Sequence, residues 1–301
     1  MREYLFAIFC FLSPLFVLAE DQFVVYSLQG EITLETNKHE NRIKKGDIVA
    51  STALVKIPAE GFITFICKKG GWFSITEPGN YSLNKFSDSC YNVKNSILTN
   101  FTKFMWSQVT NPLEDKGRNR KAYFDNVPGA VFRDQFNIWI NPMFDTVNYS
   151  GAAGDFPLSW KCYIENSRFQ FSLYNSNNTE NPFYHIIIDK LKMPIADIVP
   201  RIKQSNTYYW AVALLNEEDD DLKVFNYVSP KTYDDVLGAI EKLKPAFEAK
   251  TEEIYRTAFM LENARYFAEA HHYYNQATVL DPSNVLYKAT LTAFKKDYDI
   301  K

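Results

Sequence analysis

The chain lacks two features that would place it in a membrane or on a nucleic acid. No segment after residue 19 is apolar enough to span a bilayer, and no basic stretch is large enough to suggest nucleic-acid binding. A basic patch is the electrostatic signature of nucleic-acid binding, so we expect no nucleic-acid partner. Lys and Arg number 33 against 36 Asp and Glu, and we expect any membrane association to be indirect, through a partner.

Motifs that carry catalysis are also missing. The sequence has no His-Glu-x-x-His zinc motif, no phosphate-binding glycine loop and no Gly-x-Ser-x-Gly elbow. Ser82 and Lys85 have the Ser-x-x-Lys spacing of some acyl-transfer enzymes, but they follow the Pro78-Gly79 turn in a strand-like pattern. That spacing places both side chains on one face only at a helix start, so we predict that the protein is not an enzyme and uses no cofactor.

Metal ligands are scarce as well. The chain has only four histidines, and His271 and His272 are adjacent, so on a helix they point about 100° apart and do not readily bind one ion. The run from Glu217 to Asp221 clusters carboxylates, which calcium favours, but it lacks a turn-forming glycine. We predict a solvated hairpin tip there and no metal site.

The first 19 residues have the pattern of a secretory signal peptide. Arg2 precedes an apolar run from Leu5 to Leu18, and Ala19 precedes the acidic Glu20. A spanning helix needs about 20 apolar residues, so the run favours cleavage after Ala19 over an uncleaved anchor. We expect an exported protein, periplasmic or associated with the outer membrane.

Three cysteines follow this segment: Cys67, Cys90 and Cys162. An odd number leaves at least one of them unpaired in an exported chain. Cys67 and Cys90 are the candidate disulfide because both lie in one predicted region, and free, buried thiols remain the alternative.

Residues 20–86 have the pattern of short strands separated by turns. Ile32 and Leu34 alternate with polar neighbours, the period of a half-buried strand, and Gly30, Gly46 and Gly79 mark turns. The segments YSLQGEITL, IKKGDIV and ITEPGNYSL resemble the FecR-like domain. The resemblance implies an extracytoplasmic β domain in a Gram-negative bacterium. In its best-known members this domain relays a signal to a sigma factor, but they carry a membrane span before it, where this chain has a signal peptide.

A helical connector and linker is predicted at residues 87–126. Ile97, Phe101, Phe104 and Met105 recur at helical spacing. The polar stretch that follows, residues 113–126, is predicted to be a solvated linker.

Residues 127–231 alternate between apolar and polar side chains in short runs, which favours an antiparallel β-sandwich. The segments PLSWKCYI and QSNTYYWAVALL resemble two strands of an immunoglobulin-like or fibronectin type III-like domain. This resemblance implies that a tryptophan packs in the core and that a tyrosine precedes the second core strand. Trp139, Tyr149 and Tyr209 are candidate surface aromatics for stacking on a glycan.

Residues 232–301 are predicted to be helical. Ala258, Ala270, Tyr274, Ala277 and Pro282 have the spacing of a tetratricopeptide repeat, which the segment 251–284 resembles. Such repeats present grooves to partner helices or peptides, and a groove of this kind is one way to bind a helix. One repeat is short of the three or so that usually fold together, so flanking helices or a partner must complete the core.

The candidate partner-binding residues in this region are Leu261, Tyr273 and Tyr274, with packing against neighbouring helices as the alternative role. The predicted fold is therefore multidomain, with two mainly-β domains followed by a helical region. The predicted function is an exported, non-enzymatic scaffold or adaptor for envelope proteins. The alternatives are a signalling accessory that senses a receptor through its FecR-like domain, or a cell-wall or glycan-binding module.

Overall fold

The computed structural model describes residues 21–36, 39–91, 96–111, 116–124, 140–154, 156–217 and 221–300. Several β-sheets occupy residues 22 to 227, and a helical region follows them. The predicted signal peptide and Trp139 lie outside the described residues. Within them, no helix combines the length and apolar character needed to cross a bilayer.

The N-terminal unit consists of two four-stranded antiparallel sheets with strand orders β4-β1-β6-β7 and β3-β2-β5-β8. Its strands are β1 (Gln22–Gln29), β2 (Thr33–Thr36), β3 (His39–Arg42), β4 (Ile48–Ala50), β5 (Leu54–Ile57), β6 (Phe62–Cys67), β7 (Trp72–Ile75) and β8 (Gly79–Ser82). The alternation of β1 divides its side chains between two cores: Phe23 and Val25 pack inside the unit, while Val24 and Tyr26 pack against the rest of the molecule. The sheet that contains β1 is therefore covered on both faces.

A disulfide closes the N-terminal unit. Residues Leu83–Cys90 form a 3₁₀ helix after β8, and Cys90 is bonded to Cys67 at the end of β6. Cys162 is a free thiol. The structure thus joins the two cysteines that the sequence singled out as a pair.

Helix α1 (Ser96–Thr110) lies between the N-terminal unit and the C-terminal helices. Phe104 stacks on Phe259 with ring centroids 5.1 Å apart, and the Thr102 hydroxyl donates to the Gly70 carbonyl at 2.6 Å. The prediction of a solvated linker after this helix is wrong for its central part. Residues Arg118–Tyr123 form a 3₁₀ helix, and Arg120 is fully buried, because an acidic partner far along the chain accepts its hydrogen bonds.

The middle unit consists of a five-stranded sheet, β10-β16-β15-β12-β13, and a three-stranded sheet, β14-β11-β9. Its strands are β9 (Ile140–Pro142), β10 (Thr146–Tyr149), β11 (Pro157–Cys162), β12 (Phe169–Asn175), β13 (Tyr184–Ile188), β14 (Lys192–Pro194), β15 (Asn206–Leu214) and β16 (Lys223–Tyr227), with the one-turn helix α2 (Ile195–Ile198) after β14. All pairs are antiparallel except β10 with β16, which run parallel. Trp160 and Trp210 each stack near Phe171, with centroids 6.3 and 5.8 Å away, so the predicted core tryptophan is observed on both segments.

The C-terminal helices are α3 (Pro230–Glu241), α4 (Lys250–Asn263), α5 (Phe267–Leu280) and α6 (Val285–Asp297). Helices α4 and α5 form an antiparallel hairpin whose turn places Arg265 at a φ of +65°. Ala258, Ala270 and Ala277 are fully buried, which allows the helices to approach closely. The exposed side of α6 carries Lys288, Thr292 and Lys296, and Val285 at the start of the helix is 71% exposed.

These helices share one core with the middle unit and α1. The core includes aromatic residues from all three parts, and Phe144 from the loop after β9 stacks on Tyr298 with ring centroids 5.2 Å apart. The hairpin is thus a central element of the molecule and contacts both β units.

Candidate binding surface

Two of the three predicted partner-binding residues lie in the interior. Leu261 is 0% exposed and Tyr274 is 1% exposed, and the Tyr274 hydroxyl donates to Glu262 Oε2 at 2.9 Å. Tyr273 lies half-buried on the outer side of α5. In this conformation only Tyr273 of the three reaches solvent.

The N-terminal unit contacts the segment that leads into α4. The Tyr26 hydroxyl donates to Glu248 Oε1 at 2.6 Å, and the Ala249 amide donates to Ser27 Oγ at 3.0 Å. Thr64 Oγ1 donates to the Phe247 carbonyl at 2.6 Å. The segment that leads into α4 is therefore covered by residues of the N-terminal unit.

Buried charges reinforce this contact. Arg256 donates from Nε and Nη2 to Glu248 at 2.9 Å each, and neither side chain is more than 3% exposed. Burial raises the pKa of the Glu248 carboxyl, while the hydrogen bond and charge of Arg256 lower it. Lys45 forms an ion pair with Glu252 in the first turn of α4. Each buried charge is paired, as stability in a low-dielectric interior requires.

A second buried cluster joins α4 to the segment after α1. Glu262 accepts from Arg120 Nε and Nη2 at 2.8 and 2.9 Å and from the hydroxyl of Tyr298 at 3.0 Å. Arg120 Nη1 lies 2.8 Å from Asp297 Oδ2 at the end of α6. The cluster thus ties three separate segments together.

The middle unit is attached through the other end of the hairpin. Asn148 of β10 donates from its backbone amide to the Arg265 carbonyl at 2.9 Å. Its side-chain Nδ2 donates to the Ala264 carbonyl at 2.8 Å. Ser150 donates from its backbone amide and hydroxyl to Glu269 Oε1 at 2.7 and 2.6 Å. Burial raises the pKa of Glu269. The hairpin therefore holds both β units.

The glycan-stacking candidates are not brought together among the described residues. Tyr149 is 7% exposed, and its hydroxyl donates to the Ala153 carbonyl at 3.2 Å. Tyr209 is half-buried on the outer face of the five-stranded sheet, opposite Tyr174.

An open groove runs along β13, at the edge of the five-stranded sheet. It encloses about 660 Å³ between β13, β14 and α2. Tyr184, Ile186 and Ile188 pair with buried core residues of β12, so they extend the apolar interior of the sandwich toward solvent. No strand among the described residues pairs with the free side of β13.

The groove has an apolar floor and a cationic rim. The rim carries four cations and two carboxylates: Arg168, Lys190, Lys192, Arg201, Asp189 and Asp197. The Arg201 guanidinium lies 4.3 Å from the centre of the Tyr184 ring and donates to the Asp197 carbonyl at 2.8 Å. Among the described residues, no salt bridge joins Lys190 or Lys192 to a carboxylate.

Apolar side chains are also exposed beside the groove. Phe183 is 40%, Ile187 46% and Leu191 39% exposed. Contiguous exposed apolar surface with a polar rim is typical of an interaction site. A sequence signal for this site exists in the run Tyr-His-Ile-Ile-Ile of β13, whose apolar and β-branched residues favour a strand. The run alone does not show that the strand lies at an edge.

The chemistry of the described residues offers no catalytic arrangement at the Ser-x-x-Lys position. Ser82 Oγ donates to Asn84 Oδ1 at 2.8 Å, while Lys85 lies in the following 3₁₀ helix. Within the described part of the chain, no three His, Cys, Asp or Glu side chains are grouped closely enough to hold a metal ion.

Comparison with known proteins returned no matching family model and no significant match to a curated protein.

Proposed function

We propose that the protein is an exported, non-enzymatic scaffold that presents the β13 groove to an envelope partner. The observation that supports this proposal is the role of the α4–α5 hairpin and the segment that leads into it, which bind both β units of their own chain through hydrogen bonds to the buried carboxylates of Glu248 and Glu269. A molecule held in this way presents its exposed surfaces in a fixed geometry. The groove at β13 combines exposed apolar residues with Lys190 and Lys192, which form no salt bridge within the described part of the chain.

The immunoglobulin-like assignment of the middle unit is part of this proposal. The strand orders of the two sheets, and the parallel pairing of the edge strand β10 with β16, support this assignment. Tyr208 lies at the start of β15, two residues before the core residue Trp210, and its hydroxyl accepts from the Lys203 amide at 2.8 Å. A tyrosine bonded to backbone a few residues upstream is a feature of these domains. Immunoglobulin-like units are common in surface recognition, which suits a scaffold.

The FecR-like and tetratricopeptide-like assignments are proposed on weaker observations. The all-antiparallel N-terminal unit supports the first. The burial of all three spaced alanines between α4, α5 and α6 supports the second. In this proposal the repeat binds other parts of its own chain and holds them together.

In-cell photo-crosslinking tests the scaffold function. A photoreactive residue at position 187 is expected to give one dominant crosslinked protein in intact cells, and the same residue at Thr292, on the exposed side of α6, is expected to give none. Equal capture at both positions, or none at position 187, would contradict the proposal. Sequencing of the mature N-terminus tests export separately, with Glu20 expected as the first residue.

A second candidate function, glycan binding, is favoured by another groove. A space of about 1040 Å³ lies between the N-terminal unit and α1 and is lined by Trp106, Tyr91, Lys68, Lys69 and Lys103. Aromatic rings can stack on sugars and nearby cations can pair with acidic groups, so this groove could bind an anionic glycan such as peptidoglycan. Pelleting of the purified protein with peptidoglycan, lost on Trp106→Ala and kept on Tyr209→Ala, would support this function. Loss on Tyr209→Ala alone would move the site to the outer face of the sandwich.

A further inference from the structure

We propose that β13 binds an extended, acidic segment of another polypeptide, which adds to the five-stranded sheet as a sixth strand. This inference rests on the proposed scaffold function and specifies the chemistry of the partner. It follows from the state of the strand edge, the apolar floor beside it and the charge of its rim.

Within the described residues, no strand pairs with the outer edge of β13, which leaves that edge able to form a ladder. A sheet edge presents unpaired backbone N–H and C=O groups to any extended chain that approaches it. β13 is five residues long and contains no proline, glycine or lysine, the residues that commonly protect an edge. Strand addition of this kind obtains affinity from backbone hydrogen bonds and selectivity from alternate side chains.

The other sheet edges among the described residues are protected. β4, β9 and β14 are three residues long, and β3 carries the charged Glu40 and Arg42. β7 is covered by the 3₁₀ helix, where Phe86 stacks on Phe73 with centroids 5.0 Å apart. β10 is bonded to the turn before α5, and the four-residue β8 begins at Gly79. β13 stands apart from these because it is both exposed and apolar.

Because side chains alternate along β13, the two faces of an added sixth strand would meet different surroundings. Tyr184, Ile186 and Ile188 face the groove, so side chains of the added strand on that face would contact an apolar floor. His185 and Ile187 alternate with them along the strand and are exposed, and Ile187 also lines the groove. An added strand with small apolar residues at every second position would match the inner face.

The positive charge of the rim favours acidic residues at the remaining positions of the added strand. Arg168 and Lys190 are exposed, and together with Lys192 and Arg201 they surround the groove with two more cations than carboxylates. Carboxylates on the added strand would pair with these cations at the ends and sides of β13. Charges at such a rim mainly raise the association rate and the selectivity.

The test uses the mature full-length protein and a synthetic peptide of alternating valine and glutamate, labelled for fluorescence anisotropy. We expect saturable binding that weakens as salt rises from about 50 to about 500 mM, because exposed charges are screened. A matched peptide with N-methyl groups on alternate amides cannot form the ladder and is expected to bind at least about tenfold more weakly, a difference of roughly 1.4 kcal/mol.

Two variants separate the rim from general charge effects. The double variant Lys190→Glu/Lys192→Glu is expected to bind the acidic peptide at least about tenfold more weakly. Lys288→Glu makes the same kind of change on the exposed side of α6 and is expected to leave the affinity unchanged. Circular dichroism and thermal melting of each variant exclude loss of fold as the cause.

Three outcomes would overturn the inference. Equal binding of the methylated peptide would show that no strand is added. Absence of binding by the acidic peptide would reject the partner chemistry, and if position 187 still crosslinked in cells, the scaffold function would stand without it. Concentration-dependent dimers of the chain, lost on Ile187→Lys, would identify a second copy as the occupant.

Discussion

Arg120 and Glu262 are 142 residues apart in the sequence and form a fully buried ion pair, with Arg120 Nε 2.8 Å from Glu262 Oε2. Two tyrosine hydroxyls also donate to the same carboxylate. The carboxylate thus accepts from two guanidinium nitrogens and two hydroxyls, which offsets the desolvation of both charges. The pair connects the segment after α1 to the central helix α4.

Removing one partner of this pair is expected to be costly. Arg120→Met leaves a buried carboxylate without its countercharge, and we expect the free energy of unfolding to fall by about 3–5 kcal/mol. Urea denaturation measures this change. The double variant Arg120→Met/Glu262→Met is expected to recover most of the loss, while Lys231→Met, which breaks an exposed pair with Asp235, is expected to have no measurable effect. A loss below about 1 kcal/mol for Arg120→Met would contradict this account.

Gly117 is expected to tolerate no side chain. Its φ is +73°, and a Cβ there would lie 2.6 Å from the Cα and 2.7 Å from the amide nitrogen of Thr290 in α6. Gly117→Ala therefore combines a strained backbone with a clash against a helix, and we expect a loss of about 2–4 kcal/mol in unfolding free energy.

The matched control for this change is Gly238→Ala. Gly238 lies within α3, where an added Cβ meets nothing within 4 Å. Alanine at a helix interior position is favoured over glycine by about 0.5–1 kcal/mol, so this variant is expected to be more stable than the parent. Chemical denaturation of the two variants side by side should give opposite signs, and the same sign for both would count against the close contact with α6.

His271 is expected to make stability fall in mild acid. Its ring stacks on Phe294 with centroids 5.7 Å apart, and burial, followed by the charges of Lys295 and His272, lowers its pKa from 6.5 to about 4. Between these two values the unfolded chain binds a proton that the folded protein does not. The stabilisation from neutral His271 is thus complete above pH 6.5 and is lost as pH falls toward about 4.

Melting temperatures across this pH window test the prediction. His271→Phe keeps the aromatic stack and removes the titrating group, so its melting temperature is expected to fall less in acid than that of the parent. His272→Phe changes the neighbouring, exposed histidine and is expected to follow the parent. If both variants followed the parent, protonation of His271 would not be linked to unfolding.

The Cys67–Cys90 bond is expected to stabilise the N-terminal unit. It joins residues 23 positions apart, and closing a loop of that length reduces the entropy of the unfolded chain by an amount worth about 3 kcal/mol. Cys67→Ala/Cys90→Ala is expected to lose about that much in unfolding free energy. Cys162→Ala, which leaves the bridge intact, is the control. A parent protein whose unfolding is unchanged by reductant would contradict the prediction.

Local patterns in the sequence predicted the elements better than their assembly. The helix at α1 and the α4–α5 hairpin follow from apolar and alanine spacing within single segments, and the strands at Trp160 and Trp210 follow from period-2 alternation. These signals depend on residues a few positions apart, so they can be recognised in a single sequence.

What the sequence did not reveal depends on distant residues. Arg120 lies in a polar stretch that has the composition of a linker, and only its partner 142 residues away explains its burial. Leu261 and Tyr274 lie in a segment that resembles a repeat offering a groove, but both are buried, and Tyr274 contacts Glu262 of α4 and Phe294 of α6. The position of β13 at a sheet edge could not be predicted either, because the sequence of a strand does not indicate how many strands pair with it.

The contact between Tyr26 and Glu248 spans 222 positions, and this has a consequence for the timing of folding. Contacts between distant parts of a chain require closing a long loop and slow the folding rate. During synthesis, the hydroxyl of Tyr26 and the sheet face around it stay exposed until α4 has emerged. Until then the chain is incompletely assembled, because the hydrogen bond between Tyr26 and Glu248 has not formed.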